Sequence, residues 1–160
     1  NAFYNREDFK FVITKNLKRV SSRQFCHSSM QLAFMPEVES IAECGFSACS
    51  LTTICLLKVK RVEKLAFYNC EELLQVFLPV CEELVSGCFV GCKRVKILDL
   101  PKVKKIGPAQ FGGCSSLTDL LVPSVEEIGV NCFIGCYVLG SVNSKLDATH
   151  FKCDWCRDSK

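Results

Sequence analysis

No stretch of the sequence approaches the ~20 consecutive apolar residues that cross a bilayer as a helix, so membrane insertion is not expected. Charge of one sign is lacking too. Twenty Lys and Arg stand against 17 Asp and Glu, a formal net charge of +3, which is too little to argue for nucleic acid or an anionic membrane. Histidine is scarce, with only His27 and His150. No phosphate-binding Gly-rich loop, Ser elbow or zinc-protease helix occurs. No Asn-x-Ser/Thr site is present, which disfavours a heavily glycosylated secreted form. The chain opens with neither Met nor a signal-peptide pattern and reads as a fragment, so its compartment, cell surface or cytoplasm, stays open.

What the chain does hold in excess is cysteine, 13 in 160 residues. In a short secreted chain that would suggest a disulfide framework. The count is odd, and the positions offer another explanation.

Phenylalanine recurs at Phe3, Phe25, Phe46, Phe67, Phe89, Phe111 and Phe133, in steps of 21 or 22 residues. Three residues after five of these come Cys49, Cys70, Cys92, Cys114 and Cys136. Pro79, Pro101 and Pro123 keep the same period, as does the apolar column Val20, Ile41, Val62, Leu84, Ile106 and Ile128. Columns in one register define a tandem array of about seven repeats. The best-formed unit contains Leu117-x-x-Leu120-x-Val122-Pro123, and Leu73-x-x-Val76-x-Leu78-Pro79 repeats that frame. The alternation reads as a strand with one buried face. Proline then ends the ladder, because it has no N–H to donate. One unit is too small to bury its own apolar side, so stacked units must share a core. The Phe column should form an internal aromatic stack at ring spacings of about 4.5–7 Å.

Two polar positions before the branched column alternate in sign from unit to unit: Lys18-Arg19, Glu39-Ser40, Lys60-Arg61, Glu82-Glu83, Lys104-Lys105 and Glu126-Glu127. Glu71-Glu72 against Lys93-Arg94 is a shorter version. Equivalent positions are neighbours in a parallel stack, so the alternation predicts a charge ladder that penalises slippage by one rung. Each exposed pair contributes only ~0–1 kcal/mol.

The column cysteines ask for small buried groups, a role free Cys fills; a disulfide is the weaker alternative, since parallel Cβ vectors do not favour it. Cys88-x-x-x-Cys92 and Cys132-x-x-x-Cys136 lie two rungs apart, about 10 Å at strand spacing, too far for one zinc site. His150-x-x-Cys153-x-x-Cys156 offers three metal ligands outside the array, against a bland reading as a cap in which Phe151 and Trp155 cover the last coil. Cys26-His27 is a nominal nucleophile–base pair, but adjacent turn residues rarely aim at one atom. No catalytic, cofactor or metal residues are assigned.

The strand frame also tells which side chains point outward. They include Phe11, Ile13, Leu32, Phe34, Leu74, Phe77, Ile97 and Leu121, more apolar surface than an exposed sheet needs. Such a patch on a solenoid marks a partner surface or a face covered by self-association.

The units VPSVEEIGVNCFIGCYVL and LPKVKKIGPAQFGGCSSL resemble the BspA-like leucine-rich repeat family: a strand ending in Pro, then Val-x-x-Ile-Gly, then Phe-x-x-Cys-x-x-Leu. Phe3 to about Asn143 fit, and Leu84 to Leu139 fit best; Arg6 and Ser28 stand where Cys is expected, and Leu57-Lys58 replace the Pro region. The resemblance implies an α/β, β-rich leucine-rich-repeat solenoid, a right-handed coil with short parallel strands and short helical or 3-10 turns. The array is expected over residues 1–143, beginning mid-repeat, with a cap or tail at 144–160. It further implies a non-catalytic protein-binding scaffold without cofactor, either a surface adhesion or matrix-binding module or an intracellular protein-interaction scaffold.

Overall fold

The computed structural model describes residues 3–146. Each coil has three sides. On the first lie three- and four-residue strands: β1 (Phe11–Ile13), β3 (Leu32–Phe34), β5 (Thr53–Cys55), β7 (Gln75–Phe77), β9 (Ile97–Asp99), β11 (Asp119–Val122) and β13 (Ser141–Ser144). On the second lie two-residue strands: β2 (Arg19–Val20), β4 (Ser40–Ile41), β6 (Arg61–Val62), β8 (Glu83–Leu84), β10 (Lys105–Ile106) and β12 (Glu127–Ile128). The third side is a run of turns carrying the Phe and Cys columns. Both strand sets pair in parallel and in repeat register, Phe11 with Leu32, then Arg61 with Glu83.

Alternation dictates burial. In β3 Ala33 points in while Leu32 and Phe34 point out, and Val76 and Leu98 are the inward members of β7 and β9. One core cluster runs from Val20 to Cys136. Phe25 to Phe133 form a continuous stack at its centre, with ring centroids 5.3–6.1 Å apart, and Phe3 caps it at 5.0 Å from Phe25.

Two expectations are corrected. The turns are not helical: among the described residues there is neither α- nor 3-10 helix, so the array is all-β rather than α/β. The reason lies in the backbone. In every coil the residues two before and two after the Phe have positive φ, as at Cys44 and Ala48, Leu65 and Asn69, or Gly87 and Gly91. Left-handed residues interrupt any helical run. The N–H groups then alternate. Those of Cys44, Phe46 and Ala48 reach forward to the carbonyls of Lys64, Ala66 and Tyr68 in the next coil, while those of Gly45, Ser47 and Cys49 fold back to Ala42, Cys44 and Phe46. The turn side is thus a third ladder between coils, and its turns close on single i→i+3 bonds.

The count of about seven repeats is also corrected, to about six turns. Phe3, before β1, is the first described member of the Phe column, and β13 is the only described strand of the unit that follows β12. Repeat length varies at one place. Between the Cys column and the next strand frame, 21-residue units carry one residue, such as Ser50 before Leu51, and 22-residue units carry two, such as Glu71-Glu72 before Leu73.

The charge ladder forms in part. Lys18 reaches Glu39 at 3.5 Å, Lys105 reaches Glu127 at 3.3 Å, and Arg61 meets Glu83. Glu71 with Lys93 and Glu72 with Arg94 pair as expected, at 2.7 and 2.5 Å. Glu82 makes no ion pair with Lys60 or Lys104 among the described residues. Glu37, outside both predicted columns, bridges Lys18 and Lys58 at 2.7 Å each, which pulls its pKa down from 4.5 to about 2.

Candidate partner-binding face

The outward residues of the longer strands form rows across the coils. Register places Ile13, Phe34, Cys55 and Phe77 side by side, with Phe11 beside Leu32 in the parallel row. Phe11 is 65% exposed, Ile13 72%, Phe77 49% and Ile97 57%. Leu32, Phe34 and Leu74 are also exposed, whereas Leu121 is half-buried. Toward the C-terminal coils the face turns polar, with Asp99, Asp119, Ser141 and Asn143. Asp119 accepts a hydrogen bond from the Ser141 hydroxyl, which holds its carboxyl below the usual range.

This side is interrupted at one junction. β1-β3-β5-β7 form one sheet and β9-β11-β13 another. Elsewhere the backbone N–H groups bridge forward, Leu56 to Phe77 and Leu100 to Leu121, and backward, Leu74 to Thr52 and Thr118 to Lys96; between β7 and β9 these bonds have no counterpart. The other two ladders cross the same junction intact, through Gly107 to Leu84 and Phe89 to Gln110. The core is loosest here as well. Phe89 and Phe111 lie 6.1 Å apart, the widest step in the stack. At this junction Gln110 is fully buried, with a long side chain where Gly45, Ala66, Cys88 and Cys132 are buried in other coils; Gln24, in the same column, is half-buried and accepts from the Ser21 N–H. The column is tight, since a Cβ on Gly45 would already lie 2.8 Å from Ile41. At the split lies an open groove of about 440 Å³. Sequence reasoning missed it: Gln110 differs from Cys88 and Cys132 on either side, but Gln24 holds the same repeat position, so residue type alone did not mark the junction.

The cysteines are structural. All 11 cysteines among the described residues are free thiols. Cys49, Cys70, Cys92, Cys114 and Cys136 each donate from Sγ to the carbonyl of the Phe one coil back, at 2.6–3.3 Å. Ser28 takes the same buried position one coil earlier, with its hydroxyl 3.3 Å from the Cys49 sulfur. A small buried donor explains the column better than bulk alone, since a backbone carbonyl in the core needs its partners. Burial pushes the Cys49 thiol to about 11 and that of Cys81 to about 12, and raises Cys70 and Cys92 well above their ordinary value. Thiols held protonated are poor nucleophiles. Cys26 is buried with its pKa raised by desolvation, while His27 is exposed and lies edge-on to Tyr4, so the two do not act on a common atom. Among the described residues no group of three or more His, Cys, Asp or Glu could hold a metal, and no helix is long and apolar enough to cross a membrane. His150, Cys153, Cys156, Phe151 and Trp155 lie outside the described residues.

Parallel coils, a Phe stack and thiols at fixed offsets define a leucine-rich repeat solenoid. The chain belongs to the BspA type leucine rich repeat region family, whose six-copy model matches residues 1–93 and 57–154. Among solved structures it is similar to a leucine rich repeat protein from T. pallidum, with 30% identity over 69% of this chain and 57% of that one, and a TM-score of 0.66. A leucine-rich repeat protein from Bacteroides ovatus ATCC 8483 shares the fold, with 24% identity over 79% of this chain and 40% of that one, and a TM-score of 0.61. The chain thus spans about half the length of these two proteins. No match was found among curated proteins. Leucine-rich repeats of this kind are generally non-enzymatic and typically bind proteins.

Proposed function

We propose that the chain is a non-catalytic scaffold that takes a partner protein on the longer-strand face, through Phe11, Ile13, Leu32, Phe34, Leu74, Phe77, Ile97 and Leu121. The observation that carries this reading is the row Ile13, Phe34, Cys55 and Phe77, which runs unbroken across four paired strands with its two aromatics exposed. Contiguous apolar surface of this kind is costly to leave in water and commonly marks an interaction site, and aromatic anchors dominate such interfaces. A surface adhesion or matrix-binding module fits this geometry. The test is affinity capture with the wild-type chain and with Phe77→Asp, with circular dichroism confirming that both are folded. Proteins retained by the wild type should be lost with the variant; equal retention removes this face. Light scattering in parallel shows whether a second copy of the chain is what covers it.

A specific observation favours a second reading, an intracellular scaffold. The Cys column functions through its S–H groups, each given to a Phe carbonyl, and oxidation would remove those donors. Such a core suits a reducing compartment. Thiol titration of the native protein separates the two: a fully reduced chain supports the intracellular role, and disulfides formed in the purified protein support the surface role.

A further inference from the structure

The interruption between β7 and β9 gives the face a site of its own. The groove there has Phe77, Ile97, Leu57 and Pro101 as apolar walls and Asp99 as its only charged lining residue. Among the described residues no cation lies within ion-pair range of Asp99, and its side chain makes no hydrogen bond. The contrast with Asp119 one coil on, which is engaged by Ser141, is direct. The two strand edges also present backbone groups that are paired at the other junctions, the carbonyl of Asp99 among them.

We infer that this groove receives an arginine or lysine side chain from an extended, otherwise apolar segment of the partner protein. The inference rests on the reading of the strand face as a protein-binding surface and names the chemistry that one part of it selects. Arg and Lys carry long apolar stems below a charged head. The stem matches Phe77 and Ile97, and the head matches a carboxylate with no partner of its own beside an unpaired carbonyl. A guanidinium serves both acceptors at once, because its N–H donors form a fixed fork. A purely apolar side chain would leave Asp99 unanswered at the rim of the groove, and an acidic one would be repelled. The groove is too narrow to admit a further strand, since β7 and β9 still lie side by side on one continuous core.

The test uses the isotope-labelled chain and three acetylated heptapeptides, Ser-Gly-Leu-Arg-Leu-Gly-Ser and its counterparts with norleucine or Glu in place of Arg, titrated by NMR. The Arg peptide should shift the amide signals of Leu78, Ile97 and Asp99 and bind at least tenfold more tightly than the other two. Asp99→Asn, a change at an exposed side chain, should erase that preference. Asp99→Lys should transfer it to the Glu peptide. Val130→Ser, an exposed position on the turn side and outside this face, should leave the Kd of the Arg peptide within twofold. Equal binding of the three peptides, a preference unchanged in Asp99→Asn, or shifts confined to the β1–β5 region would each overturn the inference. Those results leave the broader face standing if Phe77→Asp still abolishes capture, so the two readings fail separately.

Discussion

Truncating one ring in the middle of the Phe stack tests whether the coils are held together as described. Phe67 is fully buried and stacks at 5.4 Å on Phe46 and 5.3 Å on Phe89, with planes 1° and 6° from parallel. Phe67→Ala removes a buried side chain and leaves a cavity, together about 3–5 kcal/mol. Each lost ring pair is worth about 0.5–1.5 kcal/mol within that total. Phe89 keeps one close neighbour and one at 6.1 Å. Phe89→Ala therefore falls at the lower end of the same range and costs less than Phe67→Ala. Phe3 is 36% exposed, stacks on Phe25 from one side and meets Phe9 edge-on, so Phe3→Ala should cost about 1–2 kcal/mol, less than Phe67→Ala. Urea denaturation followed by circular dichroism reads all three. Because stability in such an array is a sum of units and interfaces, the central variant should also broaden the transition as the two halves uncouple. A loss below about 1 kcal/mol at Phe67, or equal losses at Phe67 and Phe3, would refute the stack as the core of the array.

Gln110→Cys replaces an unsatisfied buried amide with the residue its column uses at 88 and 132, and should stabilise by about 1–3 kcal/mol in urea. It should also raise hydrogen-exchange protection of the Leu78 amide, and no gain in either would separate Gln110 from the split. For Glu37 the folded pKa of about 2 lies below the ordinary 4.5, so its pairing with Lys18 and Lys58 stabilises above pH 4.5 and that contribution is lost as pH falls toward 2. The urea midpoints of wild type and Glu37→Gln should differ at pH 6 and converge near pH 2, and a constant difference would contradict the bridge. Ala48 holds φ of 53° in a column where Gly91, Gly113 and Gly135 stand in later coils. Ala48→Gly should therefore stabilise by roughly 0.5–1 kcal/mol, the αL penalty less the extra entropy of glycine, and a lower thermal midpoint would count against it.

The architecture was legible because the same columns recur from coil to coil. The spacing of Phe46, Phe67 and Phe89 needed no propensity scale, and the alternation around Val76 and Leu98 told inside from outside. The turn conformation was not legible. Leu65 and Ala48 adopt positive φ without being Gly or Asn, so residue type gave no warning, and the reaching of alternate N–H groups into the next coil is a property of the stack. The same holds for the split sheet. The wide step from Phe89 to Phe111 falls at the coil that buries Gln110, between units 22 residues apart, and only neighbours in space reveal it. Glu37 escaped for a related reason, since it serves lysines from the coils on both sides.

The alternation of charge along the shorter-strand side has a period of two coils, whereas the core has a period of one. Removing a single unit would keep every Phe and Cys in place yet seat Lys60 against Lys104, as like charges on adjacent rungs. Removing two units would bring Lys60 to Glu126 and keep the opposition of charges. Packing therefore accepts a gain or loss of any whole repeat, while electrostatics favours pairs. Lengthening or shortening of such a gene by unequal exchange would leave the least disturbed protein when it moves in double units, with the one- or two-residue link after the Cys column absorbing the difference between 21 and 22.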